Sequence, residues 1–134
     1  MIKIGITGSI ASGKTTASQI LSYKRGPLFS ADAVVSRLYK KSILQKLLKR
    51  KFNIKQHNLK KALKEIILQD NKQVKILEKM IHPLVRKEMK KFSIKNKKKK
   101  LVFYEIPLLI ESNLMKHFDI IIFIKAKKKI RLDR

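Results

Sequence analysis

Residues 2–15 read IKIGITGSIASGKT, and this stretch decides the fold. Its first part, Ile2 to Ile6, is apolar at alternate positions and predicts a short buried strand. Its second part fits G-x-x-x-x-G-K-[S/T], which is the spacing of a phosphate-binding loop. From Gly13 onward the apolar residues follow helical spacing. The stretch therefore predicts a strand, a glycine-rich loop and a helix, in that order.

The chemistry of such a loop indicates a triphosphate ligand. The glycines let successive backbone N–H groups point at phosphate oxygens, and the helix that follows adds further N–H donors. Lys14 is expected to bridge the β- and γ-phosphates, and the Thr15 hydroxyl is expected to hold Mg²⁺. A chance glycine–lysine turn is the alternative, but it needs neither the strand before nor the helix after. The nucleotide-binding residues predicted here are Gly8, Ala11, Ser12, Gly13, Lys14, Thr15 and Thr16.

The rest of the chain extends this unit into an α/β domain. Residues 28–30 (LFS) predict a second strand, so the opening part reads strand, helix, strand, which implies a parallel sheet. Residues 33–100 are mostly helical in their spacing, and Pro83 within them predicts a kink or a break. Leu101–Tyr104 and Phe118–Ile124 are continuous apolar runs, typical of central parallel strands buried on both faces.

Composition narrows the choice of partner and compartment. The chain has 134 residues, which is enough for one domain, and a formal net charge of +25. Only six of its 34 basic residues are arginine, so an A/T-biased genome explains the charge better than nucleic-acid binding, which is not expected. With no cysteine, no apolar run long enough to cross a bilayer and no room for a signal peptide, we expect a cytoplasmic monomer without a membrane partner.

Several separated motifs together resemble the dephospho-CoA kinase family. The loop ITGSIASGKT, residues 6–15, is similar to the family's TGGIGSGK[S/T], with Ser9 and Ala11 in place of glycines. Residues 30–32 (SAD) resemble its Asp-Ala-Asp, with the first aspartate lost. Residues 81–86 (IHPLVR), 106–111 (IPLLIE) and 118–124 (FDIIIFI) resemble its later segments in order and spacing.

The resemblance implies a P-loop NTPase three-layer fold with a parallel sheet and an inserted helical substrate-binding subdomain. The nucleotide-binding core is then residues 1–32 and 101–134, and the CoA-binding subdomain is residues 33–100. The activity implied is ATP-dependent phosphorylation of the ribose 3′-hydroxyl of dephospho-CoA, the last step of coenzyme A synthesis. Asp32 occupies the position of the family's candidate base, although Ser30 or Asp32 could also simply cap the helix that follows.

The same resemblance assigns the acceptor side. His82 and Arg86, four residues apart on one helix, are expected to meet the substrate, with hinge packing as the alternative for His82. The acceptor pocket is expected to include Pro107, Leu108, Leu109 and Glu111, although plain core packing remains open for the two leucines. Glu105 ends a strand where other P-loop proteins place a metal-orienting acid, but the resemblance does not demand an acid there.

Arg134 falls on the first arginine position of what resembles the family's cationic lid helix, and it is expected to stabilise charge on the transferred phosphoryl group. On this comparison the rest of the lid, the last helices and a fifth strand would lie beyond Arg134, so we expect a C-terminally shortened kinase. Two alternatives stay open: a non-catalytic nucleotide-binding remnant, and another P-loop small-molecule kinase or a basic nucleic-acid-binding ATPase.

Overall fold

A computed structural model of the protein describes residues 1–8, 13–55, 58–106 and 115–125. Within these ranges the chain forms four strands and five α-helices, with a short 3₁₀ turn at Met115–His117. The strands are β1 Ile2–Gly8, β2 Leu28–Ser30, β3 Leu101–Glu105 and β4 Ile120–Ile124. The helices are α1 Lys14–Ser22, α2 Ala31–Tyr39, α3 Ser42–Lys51, α4 Leu59–Gln69 and α5 Asn71–Lys95.

The four strands form one parallel sheet in the order β2-β3-β1-β4. The predicted α/β class with a parallel sheet is therefore confirmed. The two inner strands carry the core, since Ile6 and Val102 are fully buried and Ile4 and Phe103 are nearly so. Aliphatic side chains of α1 and the flanking strands pack against this centre.

The turn between α1 and β2 depends on a glycine. An added Cβ on Gly26 would lie 2.1 Å from the Leu101 carbonyl oxygen, so no larger residue fits without moving backbone. The Gly26 amide also donates to the Ser22 carbonyl at 3.1 Å, which closes the end of α1. The Phe103 amide donates to the Pro27 carbonyl at 2.9 Å and ties the turn to β3. This turn therefore fixes where β2 begins.

The opposite face of the sheet from α1 carries an aromatic cluster. Tyr104 lies 5.7 Å from Phe92, 6.0 Å from Phe29 and 5.2 Å from Phe118, measured between ring centroids. Its hydroxyl shares a hydrogen bond with the Ser93 hydroxyl of α5. Burial raises the pKa of Tyr104, an effect that this hydrogen bond partly offsets. The C-terminal part of α5 is thereby anchored to β3.

The long helix α5 continues through Pro83 from Asn71 to Lys95, so the alternative of a break there is wrong. Proline removes one backbone hydrogen bond and strains the preceding turn, but packing can outweigh that cost. Leu77 and Ile81, in the turns just before Pro83, are both buried and hold this part of the helix in place.

The chain divides into two compact units. The first comprises Met1–Asp32 and Met89–Arg134 and contains the sheet. The second is the helical segment Ala33–Glu88. The predicted role of the inserted helices in CoA binding stays a prediction. None of the described helices is long and apolar enough to cross a membrane.

Candidate active site

The predicted phosphate-binding loop lies between Gly8, the last residue of β1, and Gly13, the residue before α1, and its residues 9–12 are outside the described ranges. Gly13 precedes α1 with a φ of 86° and a ψ of 20°, a left-handed conformation that glycine adopts without steric cost. Lys14 and Thr15 are the first two residues of α1, whose first turn carries no acidic side chain. A helix start with a basic residue and no acidic residue in its own first turn favours an anion.

The Thr15 hydroxyl has a partner that the sequence did not predict. It donates a hydrogen bond to Oε1 of Glu105 at 2.8 Å, across 90 residues of sequence. Glu105 is the last residue of β3 and only 2% exposed, whereas Thr15 is exposed. A cation at this place would thus find a hydroxyl oxygen beside a buried carboxylate, which are oxygen ligands of the kind that Mg²⁺ prefers.

Strand register brings Asp32 to the same edge of the sheet. Glu105 is paired with Ile6 of β1 on one side and with Ser30 of β2 on the other. β2 ends at Ser30 and α2 begins directly after it, so Asp32 lies in the first turn of α2 and is exposed. The carboxyl edge of a parallel sheet is where α/β proteins bind ligands. Lys14, Thr15, Asp32 and Glu105 all belong to the first compact unit.

The predicted acceptor residues that the structure describes lie on α5. His82 and Arg86 are both exposed and belong to the second compact unit. Other predicted site residues lie outside the described residues, and the structure says nothing of their positions. These are Ala11, Ser12, Pro107, Leu108, Leu109, Glu111 and Arg134.

The helical unit contains a cavity of about 760 Å³ that the sequence did not predict. Its apolar wall includes Leu63 and Leu77, which are buried, while Lys40 and Lys64 stand among its polar lining residues. Tyr39 is another lining residue, and burial raises the pKa of its phenol. The cavity thus combines apolar walls with two cationic side chains among its lining residues.

No cluster of three or more histidine, cysteine or acidic residues occurs in the part of the chain that the structure describes. The protein oxygens that a cation beside Thr15 would meet among the described residues include the Thr15 hydroxyl, with the Glu105 carboxylate next to it, and substrate phosphates and waters could complete its shell. That arrangement is usual for Mg²⁺, which keeps several waters and often binds through substrate phosphates.

Comparison with known proteins identifies the family. The family model for dephospho-CoA kinase matches residues 2–134. The dephospho-CoA kinase of Bartonella henselae is 38% identical over 136 residues, covering 98% of this chain and 70% of that relative. The dephospho-CoA kinase of Rickettsia typhi is 38% identical over 135 residues, covering 100% and 70%.

Solved structures give the same result for the fold. The crystal structure of TT1252 from Thermus thermophilus superposes with a TM-score of 0.83 at 30% identity, covering 98% of this chain and 69% of that one. A dephospho-CoA kinase from Campylobacter jejuni shares the fold with a TM-score of 0.61 at 22% identity, covering 98% and 92%. By its sequence, the chain belongs to the dephospho-CoA kinase family, whose members are phosphotransferases.

Proposed function

We propose that the chain transfers the γ-phosphoryl group of ATP to the ribose 3′-hydroxyl of dephospho-CoA, using the residues gathered at the carboxyl edge of β1, β2 and β3. The observation that carries this proposal is the shared edge itself. The register of Glu105 with Ile6 and Ser30 places the ends of β1 and β2 on either side of the end of β3, and α2 begins directly after β2. A phosphate donor site after β1 and a carboxylate after β2 that can accept a proton would therefore lie at the same edge of the sheet.

The donor side rests on the start of α1. Gly13 turns the chain into the helix, and the Lys14 ammonium is available to neutralise charge on the β- and γ-phosphates. Ser18 is buried and donates to the Lys14 carbonyl at 2.6 Å, which adds a side-chain contact to the first turn. Holding phosphates with preset N–H groups and a lysine stabilises the charge that spreads over the transferred group.

Magnesium fits the residues at this place. We propose that the Thr15 hydroxyl is its protein ligand, because that oxygen stands at the start of α1 beside a buried carboxylate. When bound, the ion would neutralise phosphate charge. The protein contributes the position and orientation of the hydroxyl.

Asp32 is proposed as the proton acceptor. As the 3′-oxygen forms a bond to the γ-phosphorus, the bond between that phosphorus and the ADP oxygen breaks, and the hydroxyl proton passes to the Asp32 carboxylate. Asp32 is exposed at the start of α2, where an incoming hydroxyl can reach it. It is also the only acidic residue among the first 64 positions.

The residues proposed to bind dephospho-CoA lie in the helical unit and outside the described ranges. The cavity lined by Leu63, Lys40 and Lys64 suits the pantetheine arm and phosphates of dephospho-CoA. Arg86 and His82 share an exposed helix face, so either can contact a substrate phosphate. We keep Pro107, Leu108, Leu109 and Glu111 as acceptor-pocket residues and Arg134 as a lid residue on the family resemblance alone.

Turnover tests the donor and base assignments. ADP release would be followed with ATP, Mg²⁺ and dephospho-CoA. Lys14→Ala should lower kcat/KM by about 100-fold or more because it removes a preset cation from the phosphates. Asp32→Asn should lower kcat by roughly 100-fold to 10,000-fold with little change in the KM for ATP. The matched controls are Lys87→Ala and Asp70→Asn, which change the same residue types elsewhere. Unchanged turnover in Asp32→Asn would refute the assignment of Asp32 as the proton acceptor. ATP binding without turnover in the parent chain would favour the alternative of a non-catalytic nucleotide-binding remnant.

The cavity has its own test. Lys64→Glu should raise the KM for dephospho-CoA by about tenfold, since it reverses a charge in the cavity wall, and leave the KM for ATP as it was. Lys61→Glu, an equally exposed position on the same helix that does not line the cavity, serves as the control. Equal effects of the two substitutions on both KM values would show a general charge effect and would contradict the assignment.

We further propose a cytoplasmic monomer that binds neither a membrane nor nucleic acid. The predominance of lysine over arginine among the 34 basic residues supports the part of this proposal that concerns nucleic acid. Light scattering after gel filtration measures the mass. Retention on DNA that disappears at physiological salt is expected from charge alone, whereas retention that persists there would contradict the proposal.

A further inference from the structure

We propose that the cavity of the helical unit also takes S-acylated forms of the acceptor, so that acyl thioesters of dephospho-CoA are phosphorylated at the same ribose 3′-hydroxyl. The inference rests on the proposed function, because the cavity is proposed there to hold the pantetheine arm. It widens the substrate class to thioesters without changing the reaction. The same oxygen–phosphorus bond forms, the same proton passes to Asp32, and the thioester bond is not touched.

The cavity has more space than the free arm fills. All of its described lining residues belong to the second compact unit, and its volume is about 760 Å³. A pantetheine arm with two phosphates has about 26 non-hydrogen atoms, which fill roughly 500 Å³ at the packing density of a protein interior. Roughly 250 Å³ then remains, whereas the nine or so atoms of an octanoyl group need roughly 170 Å³ at the same density. The acylated arm therefore fits.

The apolar part of the cavity wall is leucine. Leu59, Leu63 and Leu77 are buried lining residues, and Leu68 lines the cavity while its side chain is largely exposed. The leucines of α4 extend from Leu59 to Leu68, which is about 14 Å along a helix and long enough for an extended acyl chain of about eight carbons. Because apolar surface that leaves water for such a wall is stabilised, the space beyond the arm favours an acyl chain.

Two polar lining residues already bond the protein backbone. Gln45 donates from Nε2 to the Tyr39 carbonyl at 2.8 Å, and the Asn58 side chain accepts the Lys61 amide at 3.1 Å. Among the described lining residues there is no acid, histidine or cysteine that would bind a free thiol or activate water against a thioester. Nothing in this part of the wall therefore selects the free thiol over its acylated form.

The test compares dephospho-CoA with its S-acetyl and S-octanoyl thioesters as acceptors for the full 134-residue chain, with ATP and Mg²⁺ and with ADP release as the readout. Each methylene that leaves water completely strengthens binding by about fourfold. If roughly two of the six methylenes that octanoyl adds to acetyl are buried, the KM of the octanoyl thioester should be about tenfold lower than that of the acetyl thioester. The kcat should change by less than about twofold, because such binding is equal in the ground state and the transition state. An equal or higher KM for the octanoyl thioester would overturn the proposal.

A substitution in the cavity wall separates this site from a general affinity for apolar anions. Leu68→Asp puts a carboxylate into the wall at a position that is 77% exposed, so the fold should be kept. It should remove the difference in KM between the two thioesters. Leu47→Asp is the matched control, because Leu47 is also exposed and belongs to the same compact unit but does not line the cavity. An equal loss of the difference in both variants would contradict the assignment.

Calorimetric titration with the same thioesters separates a failure of this inference from a failure of the proposed function. If the parent chain phosphorylates none of the three acceptors, the proposed kinase activity fails, but binding still tests the cavity. The octanoyl thioester should then bind about tenfold more tightly than the acetyl thioester. If dephospho-CoA is phosphorylated and the octanoyl thioester binds no more tightly than the acetyl thioester, only the assignment of the acyl group to the cavity fails.

Discussion

Replacing Gly26 by alanine should destabilise the protein by about 2–4 kcal/mol. The new Cβ would lie 2.1 Å from the carbonyl oxygen of Leu101 and 3.0 Å from its carbonyl carbon. Both atoms are backbone, so the turn and the start of β3 must move apart by about 1 Å. That movement strains the Gly26–Ser22 and Phe103–Pro27 hydrogen bonds, each worth about 1 kcal/mol. Residual strain in the turn accounts for the rest.

The assay is thermal unfolding followed by circular dichroism. At about 2–4 °C per kcal/mol, which is typical of domains somewhat larger than this one, the midpoint should fall by roughly 5–15 °C. The control is Lys24→Gly in the same turn. Lys24 has a φ of 56°, which a glycine adopts without steric cost, so this substitution should change stability by less than about 1 kcal/mol.

The comparison of the two variants decides whether the reasoning holds. If Gly26→Ala melts within about 2 °C of the parent, the close approach to Leu101 does not constrain the turn, and the argument is refuted. Since the turn fixes where β2 begins, the same variant should also lose activity below its melting temperature if β2 positions Asp32.

Two further predictions concern the buried Tyr104. Ser93→Ala should lower the unfolding free energy by about 1–3 kcal/mol, because it leaves the buried Tyr104 hydroxyl without its partner. Tyr104→Phe should cost less, because the Ser93 hydroxyl still donates to the Met89 carbonyl. Denaturant titration measures both, and the reverse order would contradict the assignment. Burial holds the pKa of Tyr104 above 10.0, so the folded state keeps a proton that the unfolded state loses, and unfolding free energy should fall as pH rises above 10.0. Tyr104→Phe should weaken this alkaline loss; an unchanged pH profile would show that other groups cause it.

The order of secondary structure could be predicted because local patterns determine it. The strand, loop and helix of residues 2–22 follow from alternation, glycine spacing and helical periodicity, and the structure has them. The apolar run of β3 also behaves as predicted, with Val102, Phe103 and Tyr104 almost completely buried. The first of these features depends on residues that are neighbours in the sequence. The second depends on a run of apolar side chains that is stable only when it is buried on both faces.

The similar run in β4 shows where that inference fails. Its residues Ile120 and Phe123 are 48% and 44% exposed, and among the described residues β4 pairs only with β1, so burial on both faces is wrong there. The sequences of β3 and β4 are similarly apolar. Among the described residues β3 pairs with two strands and β4 with one, and this difference in pairing accompanies the difference in exposure. Pairing is a long-range property, and periodicity carries no information about it.

The same limit applies to the candidate site, and Glu105 is its clearest example. The sequence identifies Lys14, Thr15 and Asp32 because each belongs to a short motif with its own chemistry. Glu105 is 90 residues from Thr15, and only the parallel pairing of β1 with β3 brings the carboxylate to the start of α1. One signal was present in the sequence: an acid directly after four apolar residues predicts a charged group at the end of a buried strand. Such a charge is costly unless something nearby compensates it, and the parallel sheet places it at the edge where a bound triphosphate and its cation would lie. The sequence thus marks Glu105 by its place at a strand end, where other P-loop proteins keep a metal-orienting acid, but it does not predict the contact with Thr15.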